Sequence, residues 1–377
     1  YELRALGKQE LEEKIAQKDF EGEIYKKVFE LVRDNYDAIV RARPGVLKNS
    51  AGYYLWNVWD KKTGIFDLIK LFIGSQGTLG MITEINFRLV EPKPKSRMIV
   101  AFLKDFNGLA RAVDAIKSGN PETIEMYDNH TLSLAFRFFP GLARKLKGNI
   151  LSLAIKFLPE VFIILTGGMP KLVVTAEFTG DDEGRIDSRI EKVRDRLRNF
   201  GIRNRKTKSG IEAEKYHLIR RESFNLLRNK VRDKKTMPFI DDIVVPPGKL
   251  SGFLPKLIKI LDEYERNYDF IYTVAGHAGS GNLHIIPLMN LSDPNSKRVI
   301  EELGPQIYKM VLDYGGSITA EHNDGLIRSP YLEQMYGEKI YGLFEEVKEI
   351  FDPKGIFNPG KKVGASLDYA LNHMRQK

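Results

Sequence analysis

The chain contains no cysteine. That excludes a disulfide scaffold, a thiolate nucleophile, and an iron–sulfur cluster or zinc ribbon held by cysteines of this chain. It fits a reducing compartment. Tryptophan is rare, at two residues in 377, and histidine is sparse, at six. Long apolar runs are also missing. The segment 149–174 is the nearest approach, but Lys156, Pro159, Glu160, Gly167, Gly168 and Pro170 interrupt it. No unbroken stretch reaches the roughly 20 residues that a bilayer requires. It reads as two short apolar helices followed by a buried strand, so no transmembrane segment is expected. Internal repeats, low-complexity tracts and the common phosphate-binding fingerprints are absent too. The chain opens on Tyr1 with no apolar signal region behind it, which reads as a fragment or a processed product.

What is present is ordinary globular composition: 42% hydrophobic and 29% charged residues over a length that suggests two to three domains. The net charge is +9, and most of it sits in residues 203–235, with twelve basic and four acidic side chains. The plain reading is a solvated helical face. A patch for an acidic membrane surface or protein partner is the sharper one. Few aromatics accompany the charge, so no nucleic acid is expected.

Apolar periodicity predicts helix over 9–42, with Val28, Leu31, Val32 and Tyr36 on one face. An ordered loop follows over 44–60. An apolar run stops at Ile73 on a Gly-Ser-Gln-Gly turn, and a β-rich stretch runs from Met81 to Val90. Glu91 to Lys95 (EPKPK) is a proline-broken linker and the best domain boundary. Beyond it strands (97–103, 171–178, 239–246, 270–275, 283–289) mix with helices (106–118, 182–200, 211–230, 248–266, 295–314, 338–351). That mixture predicts an α+β fold rather than a doubly wound parallel sheet. The expected division is 1–93, 94–325 and 326–377.

Three of the six histidines fall within 46 residues. His277 and His284 bracket the sequence GHAGSGNLH, and His322 follows Glu321 in SITAEHNDG. A tight turn at Gly279 and Gly281 folds the seven-residue separation back, so the two imidazoles can converge. His277, His284 and Glu321 make a ligand set suited to zinc, manganese or iron. His322 would not join them, because adjacent side chains on an extended segment diverge. It is better placed to take a proton. Two more motifs stand out. IGSQGTLGMIT (Ile73 to Thr83) carries Gly74, Gly77 and Gly80, whose backbone can approach a ligand closely. FDPKGIFNPGK (Phe351 to Lys361) ends a helix and leaves Asn358 in a turn.

These four motifs, in this order, resemble the FAD-linked oxidases of the vanillyl-alcohol oxidase (PCMH) type. Within them they are similar to the D-lactate/glycolate/D-2-hydroxyglutarate dehydrogenase branch. KNSAGYYLW (Lys48 to Trp56) resembles the loop before that family's GSEGTLG motif. The likeness runs from about residue 30 to about 365. It implies the remainder of a PCMH-type FAD-binding domain, then a cap domain whose antiparallel sheet has helices on one side, then a helical segment returning to the flavin. By motif match, His277, His284 and Glu321 fall on the family's metal ligands and His322 on its base. Asn282 falls on a substrate contact and Arg220 on the arginine that grips the substrate carboxylate. Gly77, Thr78, Gly80, Ile82 and Asn358 fall on flavin contacts. The chain departs from the pattern at Ser280, Asn323 and Gln76, each where the family carries another residue. Residues 1–43 hold no glycine-rich pyrophosphate loop, so the resemblance implies an upstream flavin-binding half, on this chain or another.

The implied reaction is FAD-dependent oxidation of a D-lactate-like 2-hydroxy acid, with a divalent metal and His322 as base. The electron acceptor is a quinone, a cytochrome or an iron–sulfur subunit. The implied location is the cytoplasm, with a peripheral place at the membrane if the acceptor lies there. Two other classes stay open: a metal-dependent hydrolase using the same histidines, and a non-catalytic cap half of a split flavoenzyme.

Overall fold

The computed structural model describes residues 1–137, 162–207, 212–219 and 234–374. The chain forms two compact units, one of Tyr1–Arg88 with Gly315–Arg375 and the other of Leu89–Tyr314. The first break lies just before the Glu91–Lys95 linker. The second lies at Gly315, so residues 315–325 group with the N-terminal segment and not with the central one. Hydrogen bonds hold them there: Ser50 N donates to Thr319 O at 3.2 Å, and Gly52 N to Asp324 Oδ2 at 3.0 Å.

In the first unit the expected helix over 9–42 is three: α1 (Lys8–Ile15), α2 (Phe20–Asp34) and α3 (Tyr36–Ala42). Asp19 starts α2 by accepting from Gly22 N at 2.9 Å, the cap that a run of apolar residues does not reveal. Val28, Leu31 and Val32 are buried; Tyr36 is half-buried at the edge. Two short strands pair, β1 (Trp59–Asp60) and β2 (Ile65–Phe66), and α4 (Ile69–Phe72) leads into the glycine turn. The helix Glu338–Phe351 contributes Ile340, Leu343, Phe344, Val347 and Phe351 to the same core.

The β-rich reading of 81–90 fails. These residues form no strand and are exposed, Phe87 by 78% and Leu89 by 87%. A strand exists only where another strand takes its hydrogen bonds, and among the described residues none does.

The second unit is built on an eight-stranded antiparallel sheet. Its strands are β3 (Lys95–Leu103), β4 (Thr123–Asp128), β5 (Leu172–Gly180), β6 (Arg203–Lys206), β7 (Lys235–Thr236), β8 (Ile243–Val244), β9 (Phe270–His277) and β10 (Asn282–Met289), in the order β6-β3-β5-β4-β9-β10-β7, with β8 also on β10. Helices among the described residues include α5 (Leu109–Lys117), α6 (Asn129–Arg137), α7 (Glu183–Asn199), α8 (Leu250–Asn267) and α9 (Asn295–Asp313), with residues 162–167 and 212–219 also helical. The α+β reading holds. The strand expected over 239–246 shrinks to the two residues of β8, because a turn at Phe239–Ile240 and a positive φ of 62° at Asp242 interrupt it.

Helices cover both faces of this sheet, not one. Met98, Val100 and Phe102 of β3 pack with Tyr216 and Ile219 of the helical residues 212–219. On the opposite face Ile99, Ala101 and Leu103 are just as buried, and Phe178 of β5 lies with Val193 of α7 around Gly119. A strand apolar on both faces needs cover on both. Of the apolar helices expected within 149–174, residues 162–167 are helical, while 149–161 and the expected helix beyond 219 lie outside the described residues. So does most of the basic window.

Candidate functional site

In the second unit, β9 and β10 form a hairpin whose register pairs Asn282 with His277 and His284 with Ala275. Side chains directly opposite in an antiparallel pair share a face, and so do residues two apart on one strand. His277, Asn282 and His284 therefore project from one side of the sheet. Gly281 makes the turn possible. Its φ is +79°, and a Cβ there would lie 1.9 Å from Val245 O. The imidazoles converge as expected, with ring centroids 5.2 Å apart and planes at 82°.

Each ring is held by a carboxylate that sequence reading missed. His277 Nδ1 lies 2.9 Å from Glu125 Oε1, and His284 Nδ1 lies 3.3 Å from Asp241 Oδ1. An ionised carboxylate only accepts, so Nδ1 carries the proton and the lone pair of a neutral ring sits on Nε2. That is how proteins prepare histidines as metal ligands. The donor set thus fits a borderline divalent ion such as zinc. Glu125 lies on β4, a strand the periodicity did not reveal. Asp241 was visible in the pair Asp241-Asp242, but as part of a longer expected strand.

Asn282 is fully buried. Its Nδ2 donates to Asp242 Oδ1 at 3.0 Å and to Ile243 O at 3.2 Å. Its Oδ1 is buried with no donor among the described residues. Arg220 lies outside the described residues. The helical residues 212–219 just before it pack on the histidine-bearing face, through the same apolar cluster that holds Ala275 of β9.

The first unit gathers the remaining motifs. Lys362 is fully buried and its Nζ is a hub. It donates to Ser50 O and Gly52 O at 2.9 Å each, to Asn323 Oδ1 at 3.0 Å and to Asp324 Oδ2 at 2.7 Å. Burial pulls this amine below the usual lysine range, against the pull of Asp324. One side chain, directly after the Phe351–Lys361 motif, thereby ties together two motifs far apart in sequence. Asn358 Nδ2 donates to Gln76 O at 2.7 Å, and Gln76 Oε1 accepts from Gly325 N at 3.1 Å.

The proposed flavin contacts divide. Gly77 has a φ of 71° and nothing within 4 Å of where a Cβ would be, so a ligand can approach its backbone. The amides of Gly77 and Gly80 make no hydrogen bond among the described residues, and Ile82 is half exposed. Such unspent amides suit carbonyl or phosphate oxygens of a flavin nucleotide. Thr78 is different. Its hydroxyl donates to Ser75 O at 2.7 Å and lies 2.6 Å from the Tyr53 hydroxyl, and its amide donates to Ser75 O at 3.1 Å. It shapes the turn from within.

Glu321 and His322 lie on a loop of this unit. Lys48 Nζ is 2.5 Å from Glu321 Oε2, and His322 Nε2 is 3.6 Å from Glu321 Oε1. The expected divergence of these neighbours is therefore wrong. The segment carries no strand, and Asn323 right after it has a φ of 65°.

A family model described as FAD linked oxidases, C-terminal domain, matches residues 92–362. The chain belongs to that family. D-2-hydroxyglutarate dehydrogenase of Pantoea ananatis is 27% identical over 349 residues, covering 90% of this chain and 32% of the relative. Glycolate oxidase subunit GlcD of Bacillus subtilis is 27% identical over 340 residues, covering 88% of this chain and 62% of the relative. The chain thus spans 32% of the length of the first relative and 62% of the second. An alkyldihydroxyacetonephosphate synthase structure is similar in fold, with a TM-score of 0.53 at 17% identity, over 79% of this chain and 52% of that one.

Proposed function

We propose that this chain takes part in FAD-dependent oxidation of a D-2-hydroxy acid to the 2-oxo acid. The carrying observation is the pair of convergent imidazoles, each fixed at Nδ1 by a carboxylate, inside the span of the family match. The names of the relatives supply the substrate class: 2-hydroxyglutarate for one and glycolate for another.

In this reading His277 and His284, with Glu321 as carboxylate, are the metal ligands. Bound FAD would supply the two-electron acceptor, and a bound divalent ion would lower the pKa of the substrate hydroxyl. His322 takes that hydroxyl proton. Arg220 grips the substrate carboxylate by its planar fork. Asn282, whose Oδ1 has no donor among the described residues, contacts the substrate. The amides of Gly77 and Gly80 would hold flavin oxygens, with Ile82 as a further flavin contact and Asn358 bracing the turn through Gln76 O. The electron acceptor in this reading would be a quinone, a cytochrome or an iron–sulfur partner. No helix among the described residues is long and apolar enough to cross a membrane.

The test is a panel of D- and L-2-hydroxy acids against the FAD-loaded protein, read by bleaching of flavin absorbance. D-acids should bleach it. His322→Ala should lower kcat by about 10²–10⁴ with little change in KM. His284→Ala should lower bound metal. Full turnover in His322→Ala would remove the base assignment. A colourless protein that hydrolyses esters only with zinc would favour a hydrolase. One that neither binds FAD nor turns over would favour the cap half of a split enzyme.

A further inference from the structure

We propose that His130, Asp262 and Glu265 form a second metal site, within the sheet-bearing unit, that takes a divalent first-row ion such as zinc. One ligand atom from each of these three side chains lies within 4.8 Å of the others. Asp262 and Glu265 stand three residues apart on α8, which places them on one helix face. His130 sits in the first turn of α6, directly after β4. All three are half-buried, open enough for an ion to enter.

A second observation sets this apart from a chance cluster of acids. His130 Nδ1 lies 3.0 Å from Asp128 Oδ2, and the Asp128 side chain is only 1% exposed. Asp128 is itself anchored, its Oδ1 accepting from Thr131 N at 2.9 Å and Thr131 Oγ1 at 2.8 Å. Nδ1 of His130 therefore carries the proton and Nε2 the lone pair, the same preparation seen at His277 and His284. Tyr272 donates its hydroxyl to Asp262 Oδ1 at 2.5 Å, which orients that carboxylate and leaves Oδ2 for a ligand. Glu265 has no hydrogen bond among the described residues.

The charge points the same way. Three carboxylates surround one imidazole, and no lysine or arginine among the described residues bonds to any of them. One nitrogen and two carboxylate oxygens, with a fourth position for water, suit zinc or manganese better than magnesium or calcium. An ion there would clamp the β4–α6 junction to α8.

The proposal stands apart from the flavin reading, and its test separates the two. The chain is stripped with a chelator, loaded with stoichiometric zinc, desalted and analysed for metal. In a His277→Ala/His284→Ala background about one zinc per chain should remain. Adding Glu265→Gln or His130→Gln should remove it. Glu265→Gln is nearly isosteric and breaks no hydrogen bond, so the fold should persist by circular dichroism. Should the double-alanine background not fold, the same loss of one zinc is read between the wild-type chain and Glu265→Gln. Zinc should also raise the Tm of the stripped protein, but not that of the Glu265→Gln variant. A metal count that neither Glu265→Gln nor His130→Gln lowers would overturn the proposal.

Discussion

The Asp352 carboxylate shows how one motif residue sets a helix end. Its side chain is 2% exposed, and it accepts from Ile356 N at 3.0 Å, from Phe357 N at 2.8 Å and from Lys348 Nζ. Burial pushes its pKa up, but the bonds from Lys348, Phe357 and Ile356 together prevail, so the folded carboxyl titrates below its usual 3.8. A carboxyl with a depressed folded pKa stabilises fully above the unfolded value and loses that contribution as pH falls through the folded one. Asp352→Asn should therefore lower Tm by a few degrees at pH 7. The gap from wild type should shrink as pH drops below 3.8. Paired thermal melts across pH 2.5–7 check this, and a gap independent of pH would refute the linkage. At this scale residue types were legible and partners were not. His277 and His284 could be read from spacing, because a short turn can only fold back. Glu125, Asp241 and Lys362 could not, because their partners are far away in sequence.

Among elements, the β9–β10 hairpin is the one whose geometry the candidate site most depends on. Gly281→Ala would need a residue at φ +79° and a Cβ 1.9 Å from Val245 O. The strain alone costs about 1–2 kcal/mol and the overlap adds to it. The expected result is a loss of at least about 2 kcal/mol by urea denaturation, with weaker metal retention. Gly342→Ala is the control, since a Cβ there meets nothing within 4 Å and the residue lies inside the helix Glu338–Phe351. It should be neutral or stabilise by up to about 1 kcal/mol. Equal effects of the two changes would show that the turn is not under this constraint. The strands missed or overread depend on their neighbours. β4 and β8 are defined by the strands beside them, and residues 81–90 have a strand-like sequence without such a neighbour.

For the whole molecule, the exposed segment 81–94 joins the two compact units in sequence. Limited trypsin should cut the Arg88–Leu89 bond early, and the Lys93–Pro94 bond should resist. N-terminal sequencing should find a fragment beginning at Leu89, and Arg88→Gln should abolish it. Survival of this bond while other sites are cut would contradict the exposure of the segment. By itself the sequence determined the α+β class, the linker, the apolar faces of the long helices and the family resemblance. Those follow from local periodicity, from proline and glycine, and from motifs contiguous in the chain. Only the tertiary structure decided which carboxylates hold the histidines, that helices cover both sheet faces, and that Lys362 binds two distant loops. Those depend on strand order and buried polar pairing, which are set by contacts between residues tens to hundreds of positions apart.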